Sequence, residues 1–254
     1  MISIIILGSG NVAKHLFDTF LDQNEIKILQ VIGRNKDQLS YFNKMAEIST
    51  DFANILDADL YLIAVSDDAI PEVAKSLINK KGIVAHSSGS VPLNALDPKN
   101  RRGVFYPLQS FSAGKKIDFK SVSICIEAEN KNDLKLLEQL GNIISNNVQE
   151  VSSEQRKSLH LAAVFVNNFT NHLFHIGHEI CKGNDIPFQI LIPLIKETVN
   201  KLDYITPYDA QTGPARRNDF STIENHLKQL KTKNNKDIYT LISKSISEKY
   251  GKEL

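Results

Sequence analysis

Ile2-Ser3-Ile4-Ile5-Ile6-Leu7-Gly8-Ser9-Gly10-Asn11-Val12-Ala13 is the stretch on which the reading of this chain turns. A short β-branched run ends in glycine, and an amphipathic stretch opens at Val12 and continues to Leu21. A run of that composition suits a parallel strand covered on both faces. Gly8-Ser9-Gly10-Asn11-Val12-Ala13 fits G-x-G-x-x-A, and each small residue has a task. Gly8 permits a tight strand-to-helix turn, Gly10 lets a pyrophosphate reach the backbone, and Ala13 lets helix and strand pack closely. The N–H groups and partial positive charge of the helix N-terminus then favour phosphate. The motif alone is weak, and a glycine-rich turn with no ligand is its plainer alternative. Its position between strand and helix gives it weight.

Further units follow. Ile26–Ile32, Leu60–Val65, Gly82–Ala85, Gly103–Tyr106 and Val122–Ile126 read as strands. Lys36–Met45, Ile70–Ile78 and Lys131–Ile144 read as helices between or after them. Such alternation predicts an α/β fold with a doubly wound, mostly parallel Rossmann sheet. From about residue 152 strands vanish. Helices are expected over Ser153–Cys181, Pro187–Leu202, Thr222–Leu230 and Lys236–Glu248, with Ser152-Ser153 as a cap and Lys231–Lys236 as a short polar loop. The expected organisation is a dinucleotide-binding domain over 1–151 and an all-helical substrate or dimerisation domain over 152–254.

The second strand runs into Gly33-Arg34-Asn35-Lys36, where NAD-binding domains usually place an acid for the ribose 2′-hydroxyl. There is no acid, and Arg34 is placed to meet a 2′-phosphate, helped by Asn35 or Lys36. The expected cofactor is therefore NADP(H), with NAD less favoured; a solvated turn is the plainer reading of Arg34.

Ligands of open α/β sheets bind beyond the carboxyl ends of the strands. Three polar loops lie there. Ala64-Val65-Ser66-Asp67-Asp68 should pass near the nicotinamide ribose and phosphates, although Asp67 or Asp68 also suits a helix cap. His86-Ser87-Ser88-Gly89-Ser90 places hydroxyls and an imidazole where the nicotinamide would lie, or forms a turn with His86 packed locally. Tyr106-Pro107-Leu108-Gln109-Ser110-Phe111-Ser112 could wall the substrate side. The cofactor set is thus Gly8, Ser9, Gly10, Asn11, Val12, Ala13, Arg34, Asn35, Ala64, Val65, Ser66, His86 and Ser87.

Ser153–Cys181 is apolar on nearly every side, which predicts a buried helix. At about 100° per residue, His160, Asn167, Asn171 and His178 fall within roughly 40° of one line. Asn167 and Asn171 are the pair expected at the site. For His160, His175 and His178, core or interface packing is the plainer role, and no metal is expected. Gln211-Thr212-Gly213-Pro214-Ala215-Arg216-Arg217-Asn218-Asp219 offers Arg216 as a carboxylate clamp, or else a solvated loop with a cap at Asp219 or Ser221.

Composition bounds the rest. The chain has 254 residues and a formal net charge of +1, so no basic field points to nucleic acid. No apolar run approaches the roughly 18 residues of a membrane span. Cys125 and Cys181 match no metal or redox spacing and read as buried thiols of a reducing compartment, and the expected location is the cytoplasm. A homodimer is expected from apolar surfaces such as Ile186–Ile195.

The Gly8–Ala13 turn, Arg34, the Ala64-Val65-Ser66-Asp67 loop and the helical second half resemble the 6-phosphogluconate-dehydrogenase-like reductases. Those include pyrroline-5-carboxylate reductase, ketopantoate reductase and deazaflavin-dependent NADP oxidoreductases. His86-Ser87-Ser88-Gly89, Tyr106-Pro107-Leu108-Gln109-Ser110-Phe111 and Gln211-Thr212-Gly213-Pro214-Ala215-Arg216 are similar, more specifically, to Rossmann proteins ending in domain of unknown function 2520. The resemblance implies a dimerising helical domain and a cleft beside it. Several superfamily members carry a catalytic lysine four residues before a helix asparagine; here Ala163 and Val164 stand at those places, and His160 lies about one turn away. The leading expectation is an NADP(H)-dependent oxidoreductase of a small carbonyl or imine, possible carboxylate-bearing and ketopantoate-like substrates included. His86, Ser88 and His160 are its candidate proton-relay groups, Asn167 and Asn171 its substrate or nicotinamide contacts, and Arg216 its clamp. A non-catalytic NADP(H) sensor and a deazaflavin-dependent NADP oxidoreductase are the alternatives.

Overall fold

The computed structural model describes residues 1–43 and 45–250. The chain forms two compact units, Met1–Phe165 and the segment from Val166 onward. The first holds a sheet of eight strands in the order β3-β2-β1-β4-β5-β6-β7-β8. In chain order these are β1 (Ile2–Leu7), α1 (Asn11–Leu21), β2 (Ile26–Ile32), α2 (Lys36–Leu39), β3 (Glu47–Ser49), β4 (Leu60–Ile63) and α3 (Ile70–Lys75). There follow β5 (Ile83–His86), β6 (Arg101–Leu108), β7 (Ser123–Ala128), α4 (Lys131–Ile144), β8 (Asn147–Glu150) and α5 (Ser153–Ala163). All neighbouring pairs are parallel except β6 with β7. The strand order reverses beside β1, with β2 on one flank and β4 on the other. That switch point opens a crevice at the strands' carboxyl ends.

Side-chain alternation along β1 builds two cores. Ile2, Ile4 and Ile6 join one cluster, which includes Ala13, Leu16, Phe17 and Phe20 of α1; Ile5 and Leu7 join the other, with Ile70 and Ala74 of α3. The period of two in the strand sends neighbours to opposite faces, while the α1 residues recur at helical spacing on one face.

The two strands that sequence missed, β3 and β8, are the sheet's edges. Their residues, Glu-Ile-Ser and Asn-Val-Gln-Glu, are largely polar and lie mostly at the surface. An edge strand buries little, so it carries no apolar run by which to be recognised, and its polarity discourages pairing with other chains. The helix expected over Lys36–Met45 stops at Leu39. Asn35 caps its start, accepting from the Gln38 N–H. The expected cap at residue 152 forms a full capping box: Ser152 Oγ accepts from Gln155 N–H, and the Gln155 side chain accepts from Ser152 N–H.

The long helix is not continuous α-helix. Between α5 and α6 (Thr170–Lys182) the backbone runs as a π-helix over Val164–Phe169. The compact units divide within that turn, so α5 packs with the sheet unit, whereas the sequence places the change of character at 151/152. The second unit holds α6, α7 (Ile192–Asn200), α8 (Pro207–Ala210), α9 (Phe220–Gln229) and α10 (Lys233–Tyr250), with short 3₁₀ turns before α7 and α8. α10 begins at Lys233, inside the stretch expected to be a polar loop. Among the described residues no helix is long and apolar enough to cross a membrane.

Candidate functional site

A cleft of about 520 Å³ opens at the switch point of the first unit. Gly8, Ser9, Gly10, Asn11 and Val12 line one side, Gly33, Arg34, Asn35 and Gln38 one end, and Ala64, Val65 and Ser66 the opposite side, with Gln109 and Phe111. The sequence-derived cofactor residues 8–12, 34, 35 and 64–66 are therefore brought together. Ala13 lies beneath them, fully buried.

Two glycines explain the turn. Gly8 has φ +139°, and a Cβ there would lie 2.1 Å from the Ala64 carbonyl oxygen. Only glycine allows β1 to turn this close to β4. A Cβ at Gly10 would meet nothing within 4 Å, because it would project into the cleft. Gly10 is also the N-cap of α1, no side chain accepts from the helix start there, and no acid occupies its first turn. Backbone N–H groups facing open space, with a favourable helix dipole, fit a dinucleotide pyrophosphate. Those observations make the cleft suited to such a cofactor.

Other contacts fix the rim. Ser9 Oγ donates to Gln38 Oε1 at 2.8 Å, linking the phosphate turn to α2. Asn11 Nδ2 donates to the Phe111 carbonyl at 3.1 Å, and His15 Nε2 lies 3.0 Å from the Ser112 carbonyl oxygen. The loop after β6 thus folds back over the start of α1, where sequence reasoning assigned it to a substrate wall. Arg34 is exposed at the cleft's end.

His86, Ser87 and Ser88 lie at the end of β5, outside the lining of that cleft. His86 is wholly buried, and its Nδ1 accepts from Ser88 N–H at 3.2 Å. Burial pushes its pKa down to about 4, with the Arg156 charge acting in the same direction. A neutral imidazole folded under its own loop holds that loop in shape. Ser88 Oγ accepts from Ser90 N–H and Val91 N–H, both at 3.1 Å, so the hydroxyl organises the turn as well. Ser90 Oγ donates to Asp67. Asp67 opens a 3₁₀ turn before α3, and neither it nor Asp68 is the N-cap of that helix; Asp67 instead ties the loop after β4 to the loop after β5.

Sequence reasoning missed the anchor of this region. Arg156 on α5 is 1% exposed, pairs with Glu127 of β7 and donates from Nη2 to the Val91 carbonyl at 2.6 Å. Ser153 Oγ donates to Glu127 Oε2 at 2.8 Å and accepts from Leu93 N–H at 2.9 Å. The network locks the segment from Ser88 to Leu93 against α5. A lone arginine in an amphipathic stretch gives no sequence signal; its burial became visible only with β7 and the loop beside it.

His160, one helical turn after Arg156, lies beside Tyr106, with Nδ1 3.2 Å from Tyr106 Oη. Asn167, Asn171 and His178 are exposed on the second unit. The π-helix corrects their expected alignment. A single angle of 100° per residue does not carry through a segment with i→i+5 hydrogen bonding, so His160 and Asn171 are not on one straight line. Nor is the helix buried on all sides: Val166, Leu173 and Ile180 are exposed. His175, His178 and Glu179, exposed on α6, bring ligand atoms within 4.8 Å of one another. Arg216 is turned onto its own loop, donating from Nη1 to the carbonyls of Asp209 and Gln211, with its guanidinium over the Tyr250 ring. Asp219, one of the residues expected to cap, does cap α9, accepting from Thr222 N–H at 3.1 Å.

Residues 3–88 match the family model described as NADP oxidoreductase, coenzyme F420-dependent, and residues 122–246 match domain of unknown function 2520. No curated protein matches the chain. Among solved structures, a Bacteroides fragilis protein provisionally named an NADP oxidoreductase is 37% identical, over 97% of this chain and 98% of that one, with a TM-score of 0.90. Pyrroline-5-carboxylate reductase from Coxiella burnetii is 18% identical over 99% and 98% of the two chains, with a TM-score of 0.59. A reductive aminase from Aspergillus terreus, solved with NADPH and ethyl levulinate, is 13% identical over 99% and 95%, with a TM-score of 0.72. The latter two share the fold.

Proposed function

The chain belongs to the family of Rossmann NADP oxidoreductases that end in domain of unknown function 2520, and on that premise we propose that it binds NADP(H) and reduces a small carbonyl or imine. One observation carries the reading: the cleft runs from the uncapped start of α1 over Gly10 to Arg34, with open space where a pyrophosphate would lie. The bound cofactor would supply the hydride. The chain would orient it, with backbone N–H groups of residues 10–12 on the phosphates and Ala64–Ser66 along the nicotinamide ribose. Arg34 and Asn35 would meet the 2′-phosphate. His86 and Ser88 keep the loop after β5 in place, as positioning residues. Asn167 and Asn171 would contact the substrate, and Arg216 would do so only on leaving the carbonyls of Asp209 and Gln211. The cofactor named in the N-terminal family match supports one second reading, a deazaflavin as hydride partner.

The functional form would be a homodimer in the cytoplasm. Val166, Leu173, Ile190 and Leu194 of the second unit are exposed, at 74%, 41%, 65% and 64%, more apolar surface than scattered single residues explain. Cys125 and Cys181 are free and buried, which suits a reducing compartment.

Calorimetric titration with NADPH and NADH tests the cofactor. NADPH should bind more tightly, and Arg34→Ala should weaken NADPH by about ten-fold or more while leaving NADH unchanged, the scale of a hydrogen-bonded charge contact. Absence of binding by either nucleotide would defeat the proposal. A deazaflavin binding beside NADP, with hydride passing between them, would favour the second reading.

A further inference from the structure

Tyr106 lies near the end of β6, and His160 projects from α5; the two side chains meet over the backbone of Gly89 in the loop after β5. A Cβ at Gly89 would lie 2.7 Å from both His160 Nδ1 and Tyr106 Cζ, so the pair rests directly on the loop's main chain. The loop is itself pinned by Arg156 to the Val91 carbonyl and by Ser90 to Asp67. A tyrosine and a histidine held face to edge, with Tyr106 Oη 3.2 Å from His160 Nδ1, form a hydrogen-bonded pair through which a proton can pass, near the carboxyl edge of a Rossmann sheet. The two ends differ in exposure. Tyr106 is 9% exposed, whereas His160 is only half-buried, so the phenol is desolvated and the imidazole can exchange protons with solvent.

We propose that Tyr106 is the proton donor of the reaction, that His160 refills it, and that the substrate is therefore a carbonyl compound. This rests on the NADP(H) reading above and deepens it. As hydride forms the new C–H bond at the carbonyl carbon, the C=O π pair moves to oxygen, which takes the Tyr106 phenolic proton. The phenolate then takes the Nδ1 proton of the His160 imidazolium, and solvent returns a proton to the ring. NADPH is oxidised, the carbonyl is reduced to an alcohol, and one solvent proton is consumed. A carbonyl oxygen needs that proton in the reducing step; an iminium nitrogen already carries its own. Burial raises the Tyr106 pKa, which keeps the phenol protonated until the carbonyl oxygen gains charge. The charged or titratable groups around the pair are Cys125 and Glu127 of β7, Asp67 before α3, and Arg156 one turn back on α5.

Two measurements decide it. Without cofactor, the ring nitrogen resonances of His160 are recorded by NMR at one fixed pH in the wild type and in Tyr106→Phe; loss of the hydroxyl partner 3.2 Å from Nδ1 should move the Nδ1 resonance. With NADPH, oxidation is followed using pyruvate as the carbonyl probe and Δ1-pyrroline as the imine probe. The expected result is turnover of pyruvate, a loss of kcat of about 10²-fold or more in Tyr106→Phe at unchanged NADPH affinity, and a displaced pH limb in His160→Gln. An unmoved His160 Nδ1 resonance, turnover of Δ1-pyrroline but not pyruvate, turnover of neither probe, or Tyr106→Phe within about three-fold of wild type would each overturn the dyad and leave the cofactor reading standing. Failure of the wild type to bind NADPH would overturn both.

Discussion

The sheet unit and the helical unit treat their apolar residues in opposite ways. In the first, β1, β4 and β5 bury almost every side chain, and α1, α3 and α4 close over both faces. In the second, Cys181 and Ala215 are the buried apolar residues among those described, while Ile190, Leu194, Val199, Leu202 and Leu241 are exposed. A unit with that balance gains little from its own packing, since burial of apolar surface is the main favourable term in folding. The contrast teaches that the first unit covers its own apolar residues, whereas the second leaves many of them at its surface. The cleft is lined by residues of the first unit alone, whereas the exposed amides Asn167 and Asn171 belong to the second.

Three perturbations break or sharpen that contrast. The largest effect is expected from Val166→Glu with Leu173→Glu, which places charges on the exposed face of the helical unit. Sedimentation should show a wild-type dimer replaced by monomer at micromolar concentration; a wild-type monomer, or a double variant that still dimerises, would break the comparison. Gly8→Val comes next. Its Cβ would occupy the space of the Ala64 carbonyl at a φ of +139°, so urea unfolding should register a loss of about 3 kcal/mol or more. NADPH binding should disappear with it.

The third is acid sensitivity of the sheet unit. His86 has a folded pKa of about 4 against an ordinary 6.5. As pH falls below 6.5 the unfolded chain takes up a proton that the folded chain refuses until about 4. Stability should therefore be full above 6.5, fall through that window, and level off below it, by about 3 kcal/mol at most. Urea midpoints of wild type and His86→Asn between pH 7.5 and 4.5 check this; a wild-type slope equal to that of the variant would remove His86 as the cause.

Much of the first unit was legible because its strands are central and parallel. Burial on both faces forces continuous β-branched runs, and the tight turn forces glycine at residue 8; both requirements act on neighbours in sequence. The edge strands β3 and β8 were not legible, because half-exposed polar residues satisfy an edge as well as they satisfy a loop. The cofactor cleft followed from local rules for the same reason as the central strands. Tyr106 was named only as part of a wall, and Arg156 not at all, since each acquires its role from a partner far away in the chain: Tyr106 from His160, Arg156 from Glu127 and Val91. The single line drawn through His160, Asn167, Asn171 and His178 breaks at a backbone irregularity, the π-helix over Val164–Phe169, which no residue type there announces.

Sequence alone determined the elements whose cause is local: the Gly8–Ala13 turn, the central strands and a helix cap at Ser152-Ser153, with Asp219 or Ser221 left as the later cap. Each depends on dihedral freedom, periodicity or a hydrogen bond spanning a few residues. Only the tertiary structure decided the antiparallel pairing of β6 with β7, the fold-back of Phe111 and Ser112 over α1, the burial of Arg156 and the meeting of Tyr106 with His160 over Gly89. Those features arise from distant segments competing for the same space and the same hydrogen-bond partners. Their energies are set when the chain closes on itself, so no local window of sequence contains them.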